Sequence, residues 1–403
     1  MTGTPVTVPA FETATLGFLV YLVGVQITQR VRFLRDFNIP EPVTGGILAA
    51  LVTLAFYLAF GRSVEFDLTV RDYLLILFFS GIGLNARLGD LAAGGRPLLL
   101  LLGLTVGLIF MQNLAGLATA LAFGLPPQLG VLLGSASLIG GHGTTIAWAP
   151  AIAEETGFAG ALELGVASAT LGLIVAALLG GPVAHFLIER NKLHPAATDP
   201  ATAIGIEFEN VARTVLTPTD LMRAMMTLHV VMIIGLALAD VIKLTGVKLP
   251  SFVPCMLVAI AYANLMPRLL PRLPRVAGTP ALALVTDFAL GAFLAMSLMA
   301  MQLWTLKGLG LLMAVSIALQ TVIAVAFVLF LLFRLMGRQY LAAVLSAGFL
   351  GFGLGATPTA IANMNAVTKR YGPAPLAFVI LPLVSAFFVD LANAAVMQLF
   401  LAL

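Results

Sequence analysis

Three stretches, Pro97–Phe123, Leu164–Leu187 and Gly308–Phe333, are long, apolar and almost free of charge. About 20 apolar residues in helical form cross the hydrocarbon core of a bilayer, so each stretch predicts a transmembrane helix. Composition extends the argument to the whole chain. Of its 403 residues 60% are hydrophobic and 10% charged, against about 25% charged in soluble domains. Such a chain cannot cover its own surface with polar groups, which excludes a cytoplasmic enzyme and makes membrane lipid an expected partner. An outer-membrane barrel would alternate apolar and polar residues over ~10-residue segments, and this chain does not. The single cysteine, Cys255, permits no internal disulfide. No basic stripe is interleaved with aromatic residues, so no nucleic-acid partner is expected.

The expected fold is an all-α polytopic membrane protein with ten transmembrane helices, near 11–28, 42–60, 72–86, 98–123, 162–188, 222–242, 250–266, 281–304, 309–333 and 377–401. Two further apolar segments, about 128–152 and 341–365, are broken by glycine and carry polar residues at mid-length. They are expected to be re-entrant hairpins. Arg30, the first basic residue, follows the first apolar stretch, so Phe11–Thr28 reads as a permanent helix and not as a secretory signal. With the N-terminus outside, 16 of the 21 Lys and Arg residues fall in inside loops. Positive residues mark cytoplasmic loops, so both termini are expected outside.

The polar stretch Glu189–Asp220 reads as a cytoplasmic linker between two halves, 1–188 and 221–403. Features recur across it at about 210 residues' separation. Ile39-Pro40-Glu41-Pro42-Val43 matches Leu249-Pro250-Ser251-Phe252-Val253, and Gly141-His142-Gly143-Thr144-Thr145 matches Gly353-Leu354-Gly355-Ala356-Thr357. With five spans per half, the second half is inserted upside down. Inverted-topology repeats with broken helices at matching positions point to secondary transporters.

The first hairpin, Gly134–Thr145, is too rich in glycine for a continuous helix, since each interior glycine costs about 1 kcal/mol. Broken backbone at membrane depth survives only under protein or beside a wet cavity. Its amides can then serve an anion and its carbonyls a cation; a packing kink is the alternative. In the second hairpin, Gly351–Asn365, Pro358 suits the first turn of a helix and Thr357 is expected at the N-cap. That helix start would aim free amides at the midplane, an anion site without a basic side chain. Thr359 and Asn363, four apart, share a face.

Polar residues within predicted spans are the next candidates, because a charge there costs at least ~2.5–3.5 kcal/mol. Asp390 and Asn393 share a face, and with Asn85 their oxygens suit Na⁺ or a proton relay. Interhelical hydrogen bonding is the alternative for Asn85, Asn113 and Asn393. Gln320 and His229 read as packing or interfacial residues. His142 fits a proton carrier, a substrate donor or a tie for the loop backbone. No Lys or Arg lies well inside a span, so an anionic substrate would need helix starts, hydroxyls, amides and a co-bound cation.

Gly140-Gly141-His142-Gly143-Thr144 with Trp148, and the long run Gly351–Met364, resemble the bacterial sodium/glutamate symporter family. Ile39–Val43, Ile82-Gly83-Leu84-Asn85 and Phe293-Leu294-Ala295-Met296 add to the likeness, which spans about residues 15 to 400. The chain departs from the family pattern at Ile139 and at Phe349-Leu350. The resemblance implies electrogenic, Na⁺-coupled uptake of L-glutamate across the bacterial inner membrane, both termini periplasmic, by a homodimer with an elevator-type motion. It implies Na⁺ as coupling ion and no organic cofactor. The site expected on this basis sets Thr144, Thr145 and the backbone of Gly141, His142 and Gly143 against Gly355, Ala356, Thr357, Thr359 and Asn363. Asn85, Asp390 and Asn393 are the Na⁺ candidates. A H⁺- or Na⁺-coupled carrier of another small carboxylate is the second expectation. No catalytic residue is expected: the chain lacks His-Glu-x-x-His and Gly-x-Ser-x-Gly.

Overall fold

The computed structural model describes residues 5–36, 39–86, 95–195, 216–244, 250–270 and 275–402. In chain order its helices are α1 (Ala10–Arg30), α2 (Arg32–Asp36), α3 (Glu41–Phe60), α4 (Thr69–Asn85), α5 (Gly95–Ala122), α6 (Gly130–Leu133), α7 (Gly141–Thr156), α8 (Ala161–Asn191), α9 (Pro218–Lys243), α10 (Phe252–Leu269), α11 (Pro280–Met299), α12 (Gly310–Leu335), α13 (Tyr340–Gly353), α14 (Thr357–Tyr371), α15 (Pro375–Leu383) and α16 (Val389–Leu401). A π-helical turn, Val328–Leu332, lies inside α12, and another, Val384–Phe388, joins α15 to α16. Strands β1 (Val6–Val8) and β2 (Val64–Phe66) pair in parallel, Val6 opposite Val64.

Eight helices among the described residues, α1, α3, α5 and α8 to α12, are long and apolar enough to cross a membrane. The expected span at 72–86 is the 17-residue α4, and that at 377–401 is α15 and α16 in series. Of the expected linker, Glu189–Asn191 still belong to α8, and Pro218–Asp220 already open α9. There Thr217 Oγ1 accepts the Asp220 amide at 3.2 Å, and Asp220 Oδ2 accepts the Thr217 amide at 3.2 Å, a reciprocal cap. The linker's middle, 196–215, lies outside the described residues, as do the loop cations Arg87, Arg213, Lys248 and Arg272.

The chain divides into two compact units. Unit 1 takes α1, α3 and α4 from the first half of the chain and α9, α10 and α11 from the second. Unit 2 takes α5 to α8 and α12 to α16.

Unit 1 is packed through small residues, which let backbones approach closely where no water drives helices together. A Cβ on Gly45 would strike Val20 O, which brings α1 onto α3. The same closeness recurs between α9 and α10, where a Cβ on Gly235 would strike the Cys255 backbone. The two contacts are related by 211 and 210 residues (24 to 235, 45 to 255), since Gly24 likewise abuts Glu41 O. At the centre lies α11, buried along most of its length. Its Phe293 lies 5.5 Å from Phe78, and Phe79 packs 4.3 Å from Phe252.

Unit 2 is built around α13. Every residue of this helix except Leu341 is buried, as expected of a helix that is apolar all round. Phe349 stacks on Phe327 at 5.9 Å and meets Phe352 edge-on at 5.1 Å; such pairs add about 0.5–1.5 kcal/mol beyond area burial. Helices α13 and α14 run antiparallel and in contact. A Cβ on Gly351 would strike Ala360 Cα, and one on Gly348 would lie 2.8 Å from Met364 Sδ.

Candidate functional site

Both glycine clusters are breaks in helices, and both lie in unit 2. The first break covers 134–140, between α6 and α7. Only Gly130–Leu133 is α-helical before it, and α7 continues to Thr156, past the expected limit at 152, because its stop signal is Gly157 at φ 68°. The second covers 354–356, between α13 and α14, and α14 runs to Tyr371, past 365, before Gly372 and Pro373 end it. Within the first break the Ala136, Leu138 and Gly140 amides donate to Val131 O, Gly134 O and Ser135 O at 3.1, 3.1 and 2.9 Å. The Ser135 amide donates to Asn113 Oδ1 at 3.0 Å. In lipid such groups must find partners within the protein, and here they do.

The two breaks meet. A Cβ on Gly141 would stand 3.7 Å from Gly355 O. Gly141 holds φ +67°, a conformation glycine adopts without cost. Helix α8 touches both breaks: a Cβ on Gly172 would strike Leu354 O and lie 2.6 Å from Leu138 Cδ2.

Each break therefore opens onto a helix start, and neither start has a side-chain cap. Thr357, expected at the N-cap, is instead the first helical residue. The extended Ala356 (φ −156°, ψ 161°) is the cap. Its amide donates to Gly351 O at 3.0 Å, which turns the chain one residue earlier and leaves Pro358 in the first turn. The Thr357 hydroxyl donates to Ser385 Oγ at 3.1 Å. The first amides of α7 and α14 thus carry the positive helix ends with no side-chain oxygen over them.

Thr359 is wholly buried, and its Oγ1 has no hydrogen-bond partner among the described residues. Thr144 is buried; Thr145 Oγ1 lies 3.2 Å from Ala136 O and 3.1 Å from Ser137 Oγ. Asn363 Nδ2 donates to Ala176 O at 3.0 Å and Ala347 O at 3.4 Å, fastening α14 to α8 and α13. His142 Nε2 lies 3.0 Å from Thr170 Oγ1, whose own proton goes to Val166 O at 2.9 Å. The Thr170 oxygen is then the acceptor, and His142 carries a proton on Nε2.

Asn393 is wholly buried and exchanges hydrogen bonds with the first break. It accepts from Ser135 Oγ at 2.6 Å and donates Nδ2 to Ser135 O at 3.2 Å. Asp390 lies one turn earlier on α16. Asn85 belongs to unit 1. It is the last residue of α4 and accepts the Gly278 amide at 2.8 Å. Both glycine clusters, Asp390 and Asn393 thus belong to unit 2, and Asn85 belongs to unit 1. Ser135 and Ser137 were not among the expected site residues, although they stand inside the first motif. Gln320, read from sequence as a packing residue, donates Nε2 to Leu133 O at 3.0 Å and Gln112 O at 2.8 Å.

Eight helices of membrane-crossing length and apolarity among the described residues define a multi-pass membrane protein, and its unit 2 holds two adjoining, uncapped helix breaks. A family model, sodium/glutamate symporter, matches residues 6–373. The sodium/glutamate symporter of Haemophilus influenzae is 40% identical over 394 residues, 97% of this chain and 97% of the relative. That of Escherichia coli is 40% identical over 391 residues, 96% of this chain and 95% of the relative. The chain belongs to the sodium/glutamate symporter family.

Proposed function

We propose that the protein couples the entry of Na⁺ to uptake of L-glutamate across the bacterial inner membrane. The observation that carries the reading is the meeting of two uncapped helix starts, Gly141 and Thr357, beside the unpartnered Thr359 hydroxyl. Amides at helix starts hold carboxylates without a basic side chain, and Thr359, Thr144 and Thr145 supply hydroxyls for the rest of the substrate. Gly143 and Gly355 keep the backbone bare around them, and His142 fixes the α7 start through Thr170. Asp390 and Asn393, the latter bonded to the Ser135 carbonyl of the first break, hold Na⁺, a hard cation that takes oxygen ligands. In this reading Asn85 serves the cation only through its own unit, where it also anchors the Gly278 turn.

In the same proposal the chain makes ten spans and two re-entrant hairpins in two inverted repeats, 1–188 and 221–403, joined by the cytoplasmic linker 189–220, with both termini periplasmic. The recurrence of the Gly24–Gly45 approach 210 residues later supports the repeats. Unit 2 carries both breaks and draws on both halves, which supports its role as the moving part of an elevator-type alternation within a homodimer. Moving net charge makes the cycle electrogenic, at about 2.3 kcal/mol per charge across 100 mV.

Uptake of labelled glutamate into proteoliposomes tests the reading, with an inward Na⁺ gradient set against a matched K⁺ gradient, each with and without a proton gradient. Uptake only with Na⁺ is the expected outcome. Proton-driven uptake, or uptake of another carboxylate alone, would overturn it.

A further inference from the structure

Two glutamines in unit 2 stand in matching places, one in each half of the chain. Gln112 lies in α5 and Gln320 in α12, 208 residues apart, and both are fully buried at 0% and 1% exposure. Each reaches across to the other half's broken helix. Gln112 Nε2 donates to Gly353 O at 2.6 Å, and Gln320 Nε2 donates to Leu133 O at 3.0 Å. Gly353 and Leu133 are the last helical residues before the two breaks.

These partners fix the orientation of both amides. Gly353 O, Leu133 O and Gln112 O can only accept, so flipping either side chain would set oxygen against oxygen. The side-chain oxygens are therefore Gln112 Oε1 and Gln320 Oε1, and neither has a hydrogen-bond partner among the described residues. A buried acceptor left unmade is costly, and a matched pair of them, one from each half of the chain, points to a ligand. The surroundings define its chemistry. The 14-residue α13 ends at Gly353, so its negative end lies beside Gln112. No Lys or Arg occurs in α5 beyond Arg96 or in α12 before Arg334. Neutral oxygen donors with no fixed countercharge suit a monovalent hard cation more than a divalent one.

We propose that Gln112 and Gln320 supply oxygen ligands to a further binding site for the coupling Na⁺, besides that of Asp390 and Asn393; this rests on the transport reading above. The site holds the pre-break ends of both hairpins, and the substrate sits at their post-break starts. Gly353 and the α14 cap Ala356 are three residues apart, so a cation that firms one end of the break positions the other for glutamate.

The experiment measures Na⁺-driven glutamate uptake in proteoliposomes of wild type, Gln112→Met, Gln320→Met, Gln112→Glu and Gln320→Glu. Methionine keeps the length and removes the oxygen. Glutamic acid, protonated in this buried setting, keeps the facing oxygen and donates its O–H to the same carbonyl. The Met variants are expected to need about tenfold more Na⁺ for half-maximal uptake, with the glutamate KM at saturating Na⁺ within about threefold of wild type. The Glu variants are expected to keep the wild-type Na⁺ requirement or lower it. Met variants with an unchanged Na⁺ requirement would overturn the proposal. So would Glu variants that fail as the Met variants do, since restoring the oxygen would then restore nothing. Heat stability of the purified proteins in Na⁺ or choline, without glutamate, covers any variant too weak to transport. Na⁺ should protect wild type and the Glu variants but not the Met variants, and equal protection of all would overturn the proposal. A wild type with no Na⁺-driven uptake would remove the transport reading itself, an outcome distinct from an unaltered variant in a working symporter.

Discussion

Thr359 offers the sharpest division between holding the fold and holding a substrate. Its hydroxyl is wholly buried and unpartnered among the described residues, so the fold gains nothing from it. Thr359→Val should leave thermal stability unchanged or slightly raised. It should also raise the glutamate KM about tenfold, near 1.4 kcal/mol; uptake kinetics beside a detergent melting curve check both. Ser135 behaves in the opposite way. It ties Asn113, Asn393 and the first break together, and Ser135→Ala leaves buried groups unpaired. A loss of roughly 1–3 kcal/mol in stability is expected with the transport defect, read from the melting temperature with and without Na⁺. Asp67, in the loop before α4, gives a pH test. Its carboxylate is held below 3.8 first by the Thr69 hydroxyl at 2.6 Å and then by the Thr69 amide at 3.0 Å. A depressed carboxylate stabilises above its ordinary pKa, and that contribution is lost as pH falls through the lowered value. Asp67→Asn should therefore melt below wild type near about pH 7, and the gap should close below about pH 4.

At the scale of elements, the hairpin of α13 and α14 depends on glycine for contact more than for bending. A Cβ at Gly351 meets the Ala360 backbone, which cannot rotate away as a side chain could. Gly351→Ala should cost about 1–3 kcal/mol through overpacking, seen as a lower melting temperature and a fall in maximal uptake. What the sequence made legible at this scale follows from period and breaks. Long uncharged runs mark α5, α8 and α12 within a few residues, and the two glycine clusters mark both interruptions. The cap at Ala356 was not legible, because a Thr-Pro pair reads as N-cap and first turn, whereas a tertiary bond to Ser385 draws the Thr357 hydroxyl away. Nor were the glutamines' partners. A lone Gln on an apolar helix resembles a packing residue until the carbonyl it serves, 241 residues away for Gln112, is known.

For the whole molecule, the division into units cuts across the division into halves, so neither half of the sequence is a domain. Orientation can be tested without background, since the only cysteine, Cys255, is buried. His194→Cys should react with a membrane-impermeant maleimide only from the cytoplasmic side, and Arg62→Cys only from the periplasmic side; labelling of intact cells against inverted vesicles decides this. The crossed glutamines have a consequence for synthesis of the protein. Leu133 O receives its amide from a residue 187 positions later. At about 5–20 residues per second, the ribosome needs roughly 10–40 s to bring Gln320 out after Leu133. For that interval the first broken helix waits with this carbonyl unserved by its native partner. The nascent first half is thus the vulnerable species, which the insertion machinery must shelter or quality-control proteases will remove.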